Sequence, residues 1–476
     1  MLFTSVVYFL FLLCVLPVYY LLPVKFRNYF LILISAYFYM YVKVEYIAII
    51  LLIIISNYLI GIKIEESPSR SGKKQLLNLS LFINLGILIF FKYWNFLISN
   101  VDEVFRLMNT KHQIPFLDIA LPLGLSYYIF QTIGYTLDIY RGSQKAERNF
   151  FHFTLFTLFF PKLLVGPIER AGRLFPQISK AITFDTENLI EGGRRIAWGL
   201  FKKLVVADRI LIYQNAVFGF PKQEGCWTVL FASLIYTFQV YADFSGYTDI
   251  AIGTARLFGY NLMENFKMPF LAKNLSDFWR RWHISLSSWV NDYIYNPMAF
   301  NRRDWGTWGV IYALFISFIV IGIWHGATWN YVLFGALQSL ALIYEILTRK
   351  ARKKISKKIP PVIYNNLSRI FTFLYMSFCL IIFRTQTFGD ALYILRDIFV
   401  PKSHVFFFDN FSTLFYMLTG CAVILLYDIQ EEFKIFKISL FSNRNWVIQQ
   451  MSFAVLIIYI LLAGVFDGGQ FIYFAF

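Results

Sequence analysis

The chain reads as an all-α, polytopic integral membrane protein. Three observations carry that reading. Of the 476 residues, 58% are hydrophobic and 20% aromatic, against 15% charged. The apolar residues are gathered into runs near the roughly 17–25 that a membrane-crossing helix needs. The basic residues behind the net charge of +16 sit in short loops between those runs, which is the positive-inside arrangement. This composition excludes a soluble globular protein and a disordered chain alike. The loop placement of Lys and Arg points to membrane lipid, and not nucleic acid, as the partner of the positive charge. One continuous helical domain over residues 1–476 is expected.

In chain order, apolar runs at 6–22, 28–42 and 46–62 predict the first three spans. No Lys or Arg precedes the first run and no small-residue cleavage site follows it, so it reads as an uncleaved span. A fourth span is predicted over 77–98, interrupted by Lys92, and a fifth over 115–140. The loops holding Lys25 and Arg27, then Lys63, Arg70, Lys73 and Lys74, then Arg141, Lys145 and Arg148 are the heavier basic ones. Charge bias makes them cytoplasmic and the N-terminus external.

The middle is less regular. Residues 151–167 are apolar but short, and they carry Pro161, Gly166 and Pro167. They read as re-entrant or surface-lying, because broken backbone at membrane depth needs protein or water to satisfy it. Lys202, Lys203 and Arg209 within 196–220 suggest an interfacial amphipathic helix. Residues 227–241 form a buried helix running into Asp243-Phe244-Ser245-Gly246-Tyr247-Thr248-Asp249, where two carboxylates and two aliphatic hydroxyls suggest a polar lining. Runs at 309–324, 331–346, 368–383, 411–427 and 451–466 bring the total to about eleven spans, with two or three further segments re-entering or lying in the surface. Residues 349–358 hold seven Lys or Arg and no acid, a solvated loop beside anionic lipid. Cys14, Cys226, Cys379 and Cys421 are scattered without ligand spacing, so neither a disulfide framework nor a metal site is expected.

Five histidines carry the question of chemistry. His112 lies in a polar loop, and His152 among phenylalanines reads as a packing histidine. His404 and Asp409 match the His-x4-Asp spacing of soluble glycerolipid acyltransferases, but no supporting motif follows, and the match reads as accidental. His283 ends the block Ser276-Asp277-Phe278-Trp279-Arg280-Arg281-Trp282-His283. Ser276 would cap a helix there, Asp277 and Arg281 would pair across one turn, and Trp279 and His283 would share a face. His325 stands about forty residues on, in Gly322-Ile323-Trp324-His325-Gly326, at the end of a run as apolar as lipid. An ionisable residue there is costly unless it faces a partner or a wet cavity. Imidazole is the usual general base near neutral pH. No Ser, Cys or Thr stands in an elbow motif near either histidine, so direct transfer between two bound substrates fits better than a covalent intermediate.

These residues resemble the bacterial branch of the membrane-bound O-acyltransferase family. The resemblance rests on Leu121-Pro-Leu-Gly-Leu-Ser-Tyr-Tyr-Ile-Phe-Gln131, Pro161-Lys-Leu-Leu-Val-Gly-Pro-Ile-Glu-Arg170, Tyr241-Ala-Asp-Phe-Ser-Gly-Tyr-Thr-Asp-Ile-Ala-Ile-Gly253, Phe278-Trp-Arg-Arg-Trp-His-Ile-Ser-Leu-Ser-Ser-Trp289 and Trp324-His-Gly326. Their order and spacing match over nearly the whole chain. Where relatives often have a Gly-Gly-Asn run, this chain has Ala299-Phe300-Asn301. The chain length and Gly468–Phe476 resemble the alginate and peptidoglycan O-acetyltransferase type more than the teichoic-acid D-alanylation type.

The resemblance implies helices around a central funnel or tunnel, with a catalytic core at about 117–346. It implies His325 as the catalytic histidine and His283 as a second functional one. The donor would be a cytosolic thioester, acetyl-CoA or an acyl-carrier thioester, with no tightly bound cofactor. The acceptor would be a hydroxyl of a cell-surface polysaccharide, or an extracytoplasmic acetyltransferase partner, reached from the bacterial inner membrane. Trp279, Arg280, Arg281, Trp282 and Trp324 would line the cavity and hold donor phosphates. Asp243, beside Ser245, would pair with a buried arginine. Transfer of D-alanyl to teichoic acid is the alternative within the family. A polysaccharide transporter or flippase is the alternative outside it, though the paired broken helices of two related halves are not seen.

Overall fold

The computed structural model describes residues 1–110, 114–118, 120–219, 225–385, 387–400, 407, 410–435 and 446–466. Every regular element among them is helical. Among the described residues, six helices are long and apolar enough to cross a membrane, and two shorter apolar ones accompany them. His112, His404, Asp409 and Gly468–Phe476 lie outside the described residues.

The chain divides into two compact units. The first comprises residues 1–193 and 251–263. It opens with α1 (Val6–Leu21), α2 (Val24–Met40) and α3 (Tyr46–Glu66). Next come α4 (Arg70–Leu88) and α5 (Trp94–Leu107), joined without a break by a π-helical turn at Ile89–Tyr93 that contains Lys92. The expected fifth span is shorter than its apolar run, since α6 covers only Leu125–Arg141. Pro122 lacks the N–H a helix needs, and Gly124, at φ 74°, sits in the left-handed region that ends helical propagation.

Residues 150–178 form three short helices, α7 (Phe150–Leu158), α8 (Phe160–Leu163) and α9 (Ala171–Ile178). Residues 153–165 are buried in protein throughout. That is how the broken backbone around Pro161 and Gly166 is accommodated. Two of the motifs meet here. Lys162 Nζ donates to Gln131 Oε1 at 2.6 Å, and a Cβ on Gly124 would strike the Leu163 carbonyl.

The second unit comprises residues 194–250 and 264–476. Its first helices are the end of α10 (Thr186–Leu200), a π-helical turn at Phe201–Ala207, α11 (Asp208–Gly219) and most of α12 (Cys226–Leu257). The interfacial helix expected at 196–220 is not found: Lys202 and Lys203 are buried. Lys203 Nζ lies 2.7 Å from both Asp208 and Asp243, and Lys202 pairs with Asp249. Arg195 joins that cluster at 2.8 Å from Asp249. Asp243 therefore pairs with a lysine, and not the arginine expected. The charge pattern misled because a lysine on a helix looks the same in sequence whether water or a carboxylate compensates it. Gly199 and Gly246 permit the approach, since a Cβ on either would press on the other's carbonyl. This is the small-residue contact by which membrane helices pack closely.

After α12 come α13 (Leu275–Arg281), α14 (Ile284–Val290) and α15 (Asn296–Asn301). The long α16 (Thr307–His325) and α17 (Trp329–Leu347) then form an antiparallel pair that packs backbone to backbone at Gly322 and Gly335. An exposed basic helix, α18 (Arg349–Ser356), takes the place of the expected loop. It is followed by α19 (Pro361–Arg384), α20 (Phe388–Asp397), α21 (Phe411–Phe433) and α22 (Trp446–Ala463).

Candidate functional site

The block around His283 folds as two short helices with a sharp joint. Asn274, not Ser276, caps α13, accepting from the Asp277 N–H at 2.8 Å. Ser276 lies within the first turn and, with the Leu275 N–H, donates to the Glu345 carboxylate. That carboxylate satisfies N-terminal amides that would otherwise be orphaned, and its charge suits the helix dipole. The helix ends at Arg281, because His283 takes φ 44°. The single face expected to carry Trp279 and His283 together is therefore broken at the joint. A left-handed conformation in a non-glycine residue is strained, and such strain persists only where its surroundings over-determine it.

Asn265 does the over-determining. Its carbonyl oxygen accepts the Ile284 N–H at 2.9 Å. Its side-chain Oδ1 accepts from Ser285 N at 3.1 Å and Ser285 Oγ at 2.9 Å, and it lies 3.2 Å from His283 Nδ1. Because the Ser285 amide can only donate, the Asn265 atom facing it is the oxygen. An oxygen acceptor places the proton of neutral His283 on Nδ1 and the lone pair on Nε2. Sequence reading passed over Asn265, which sits in an unremarked loop with no spacing to mark it.

His325 reaches the same tautomer by another route. It is the last residue of α16, and its Nδ1 donates to the Ile321 carbonyl one turn back, at 2.7 Å. A carbonyl only accepts, so Nε2 carries the lone pair here too. The extended backbone of Gly326 turns the chain away at once, and a Cβ there would overlap the Tyr331 ring.

The two imidazoles meet around one indole. The Trp324 ring lies 5.5 Å from His283 and 5.2 Å from His325, centroid to centroid. Phe244 packs edge-on against His283 at 4.7 Å, and Phe383 against His325 at 5.3 Å. Both histidines are buried, at 0% and 3% exposure. Burial first, and the neighbouring His325 second, hold the His283 imidazole well below its ordinary pKa of 6.5. Position 283 thus disfavours positive charge and favours the neutral ring.

The other expected residues divide into two groups. A cleft of about 440 Å³ is lined by Trp279, Arg280, Ser287 and Asn291 on one side and Leu314 and Ile321 on the other. Arg280 is 72% exposed in its side chain, and Trp279 hydrogen-bonds Gln338. The cleft stops one turn of α16 short of His325, at the residue whose carbonyl holds its ring. Trp282 and Arg281 lie elsewhere. Trp282 is core, stacked on Phe278 at 5.3 Å. Arg281 is bound bidentately by Glu432 at 2.9 Å and also by Asp277 at 3.0 Å. Ser245 is buried, close in sequence to the Lys203–Asp243 pair, with no hydrogen-bond partner for its Oγ among the described residues.

The sequence model of the membrane-bound O-acyltransferase family matches residues 143–385. A probable alginate O-acetylase of Pseudomonas putida is 36% identical over 81% of this chain and 78% of its own length. The chain belongs to the membrane-bound O-acyltransferase family. It is a multi-pass membrane protein and an O-acyltransferase. A peptidoglycan O-acetyltransferase of Helicobacter pylori is 32% identical over 79% of this chain and 77% of its own length. A teichoic acid D-alanyltransferase of Bacillus subtilis is 29% identical over 56% of this chain and 69% of its own length. His283 and His325 of this O-acyltransferase fall within the matched region.

Proposed function

We propose that the protein transfers acetyl from a cytosolic thioester, acetyl-CoA or an acyl-carrier thioester, to a hydroxyl of a cell-surface polysaccharide or of an extracytoplasmic acetyltransferase partner. Support for acetyl and polysaccharide comes from the names of the alginate and peptidoglycan relatives, which match more of this chain than the D-alanyltransferase of Bacillus subtilis does. The protein would act in the bacterial inner membrane with its N-terminus outside, as the basic residues where α1 meets α2, where α3 meets α4 and at and after the end of α6 suggest.

One observation carries the chemistry: the Ile321 carbonyl commits the Nδ1 proton of His325 and so points its basicity to Nε2. In the proposed reaction the acceptor hydroxyl gives its proton to that Nε2 as its oxygen bonds to the thioester carbonyl carbon. The carbon–sulfur bond then breaks, and the leaving thiolate takes the proton from the imidazolium. The products are an O-acetyl ester and a free thiol, and the histidine is restored. His283 would orient the acceptor, and its neutral neighbouring ring adds no charge to oppose protonation of His325. The cleft beside Ile321 would be an approach for one substrate, with Arg280 at its edge available to donor phosphates. Arg281 and Trp282 would act by positioning α13, and the Asp243–Lys203 pair by holding α12.

The test is transfer of labelled acetyl from acetyl-CoA in membranes containing the parent or His325→Ala protein. Labelled polysaccharide from the parent alone supports the reading. Equal labelling from both removes His325 as the base.

A further inference from the structure

The first unit holds a second cavity that the acyltransferase chemistry does not use. It has a volume of about 240 Å³ and lies where the start of α2, the start of α7 and the end of α9 converge. Its lining includes Lys25, Arg27, Asn28, Tyr29, His152 and Lys180, and no Asp or Glu. Lys25 and Lys180 are exposed. Arg27 is different, being only 9% exposed.

The surroundings of Arg27 hold it without neutralising it. Its Nε donates to the Leu22 carbonyl at 3.0 Å, Nη1 to Ile182 at 2.6 Å and Nη2 to Tyr20 at 2.9 Å. The rings of Tyr19 and Tyr20 lie 5.2 and 5.4 Å from the guanidinium. All of these partners are neutral, and among the described residues no carboxylate pairs with it. Three of the five guanidinium N–H groups are used, which leaves one on each terminal nitrogen. A buried charge is normally paired, because desolvating it alone is expensive. Here a fixed, desolvated cation stands in the wall of a cavity whose other charged groups are also basic.

From this geometry we infer that the cavity binds a phosphate ester, Arg27 serving as the fixed anchor and Lys25 and Lys180 closing over the anion at the mouth. A planar guanidinium with two N–H groups to give suits a phosphate. Tyr29 packs on Phe151 at 4.8 Å, providing an aromatic wall beside the basic groups. The phosphate could be carried by an anionic lipid or by a soluble compound, and the two sources share this chemistry.

The experiment uses the full-length protein in detergent, titrated with short-chain phosphatidylglycerol in one arm and inorganic phosphate or desacetyl CoA in the other, with binding read by native mass spectrometry. The variant is Lys25→Gln with Lys180→Gln, both exposed and removable without disturbing the core. The control is Lys350→Gln with Lys353→Gln on α18, which makes the same change in charge. At least one arm is expected to bind the parent and the control alike, and the cavity variant about tenfold more weakly. Loss in the lipid arm alone assigns a headgroup, and loss in the soluble arm assigns a free phosphate compound. Equal affinity of parent and cavity variant in both arms, or an equal loss in the control, overturns the inference. Acetyl transfer is not part of the readout, so the proposal stands or falls apart from the function proposed above.

Discussion

His325 and His283 present the same nitrogen and are held in opposite ways. His325 ends a regular helix, and a main-chain carbonyl of that helix fixes its proton. His283 sits at a strained joint between two short helices, and one side chain, Asn265, fixes both its proton and the joint. The difference concerns robustness. Every residue has a main-chain carbonyl, so no substitution at Ile321 deletes the acceptor. The Asn265 carboxamide can be deleted by one codon. The candidate base thus depends on α16 being a helix, and its companion depends on a single amide.

The sharpest break in that comparison is removal of the rings themselves. His325→Ala is expected to lower acetyl transfer by about 10²–10⁴, the usual worth of a general base, with membrane protein level unchanged. His283→Ala is expected to cost less, about tenfold to a hundredfold, since orientation is worth one or two steps of about 1.4 kcal/mol. Rates in the reverse order would exchange the two roles.

Removing the supports comes next. Asn265→Ala leaves the Ser285 amide and His283 Nδ1 without their acceptor, at about 1–3 kcal/mol for a buried unmet group. Activity should fall to about the level of His283→Ala, because the ring is no longer held. Ile321→Val keeps the carbonyl and should cost only about 0.5–1.5 kcal/mol of packing, with activity within about threefold of the parent. Kinetics of the two variants side by side would test whether main-chain support is the sturdier.

A pH dependence of stability separates the rings further. The native pKa of His283 lies below the unfolded value of 6.5, so the unfolded chain binds more protons as pH falls. Stability is therefore complete above pH 6.5 and declines as pH drops below it. Thermal unfolding in detergent between pH 7.5 and 5 should show that decline in the parent and a flatter profile in His283→Gln. An unchanged slope would mean that the site admits the charged ring.

The smallest effects belong to the two arginines beside His283. Arg281→Gln breaks a bidentate pair with Glu432 and a bond to Asp277, and should cost about 1 kcal/mol as a partly exposed pair. Arg280→Gln should stay within about 0.5 kcal/mol in stability, and if Arg280 holds donor phosphates it should act on the KM for the thioester. A change in kcat with KM unaltered would move Arg280 out of donor binding.

Much of this was readable in advance where a rule has no competitor. A run such as 309–324 has one solution in lipid, because each backbone polar group must be satisfied within its own segment, and α16 follows it closely. The pairing of Asp277 with Arg281 follows from helical spacing alone. The rules failed where two solutions share one pattern. Lys202 and Lys203 fit an interfacial helix as well as a buried ion cluster. The break at His283 hides inside a block that scans as continuous helix.

By itself, the order of residues determined that the chain is helical, that it lives in a membrane, and which two histidines stand out, because hydropathy and costly polar groups are properties of single segments. Only the tertiary structure decided that those histidines share one indole, that Asn265 holds one of them, and that Asp243 answers to a lysine. Each of those facts joins residues far apart in the chain, and such meetings follow from packing, for which no local pattern exists.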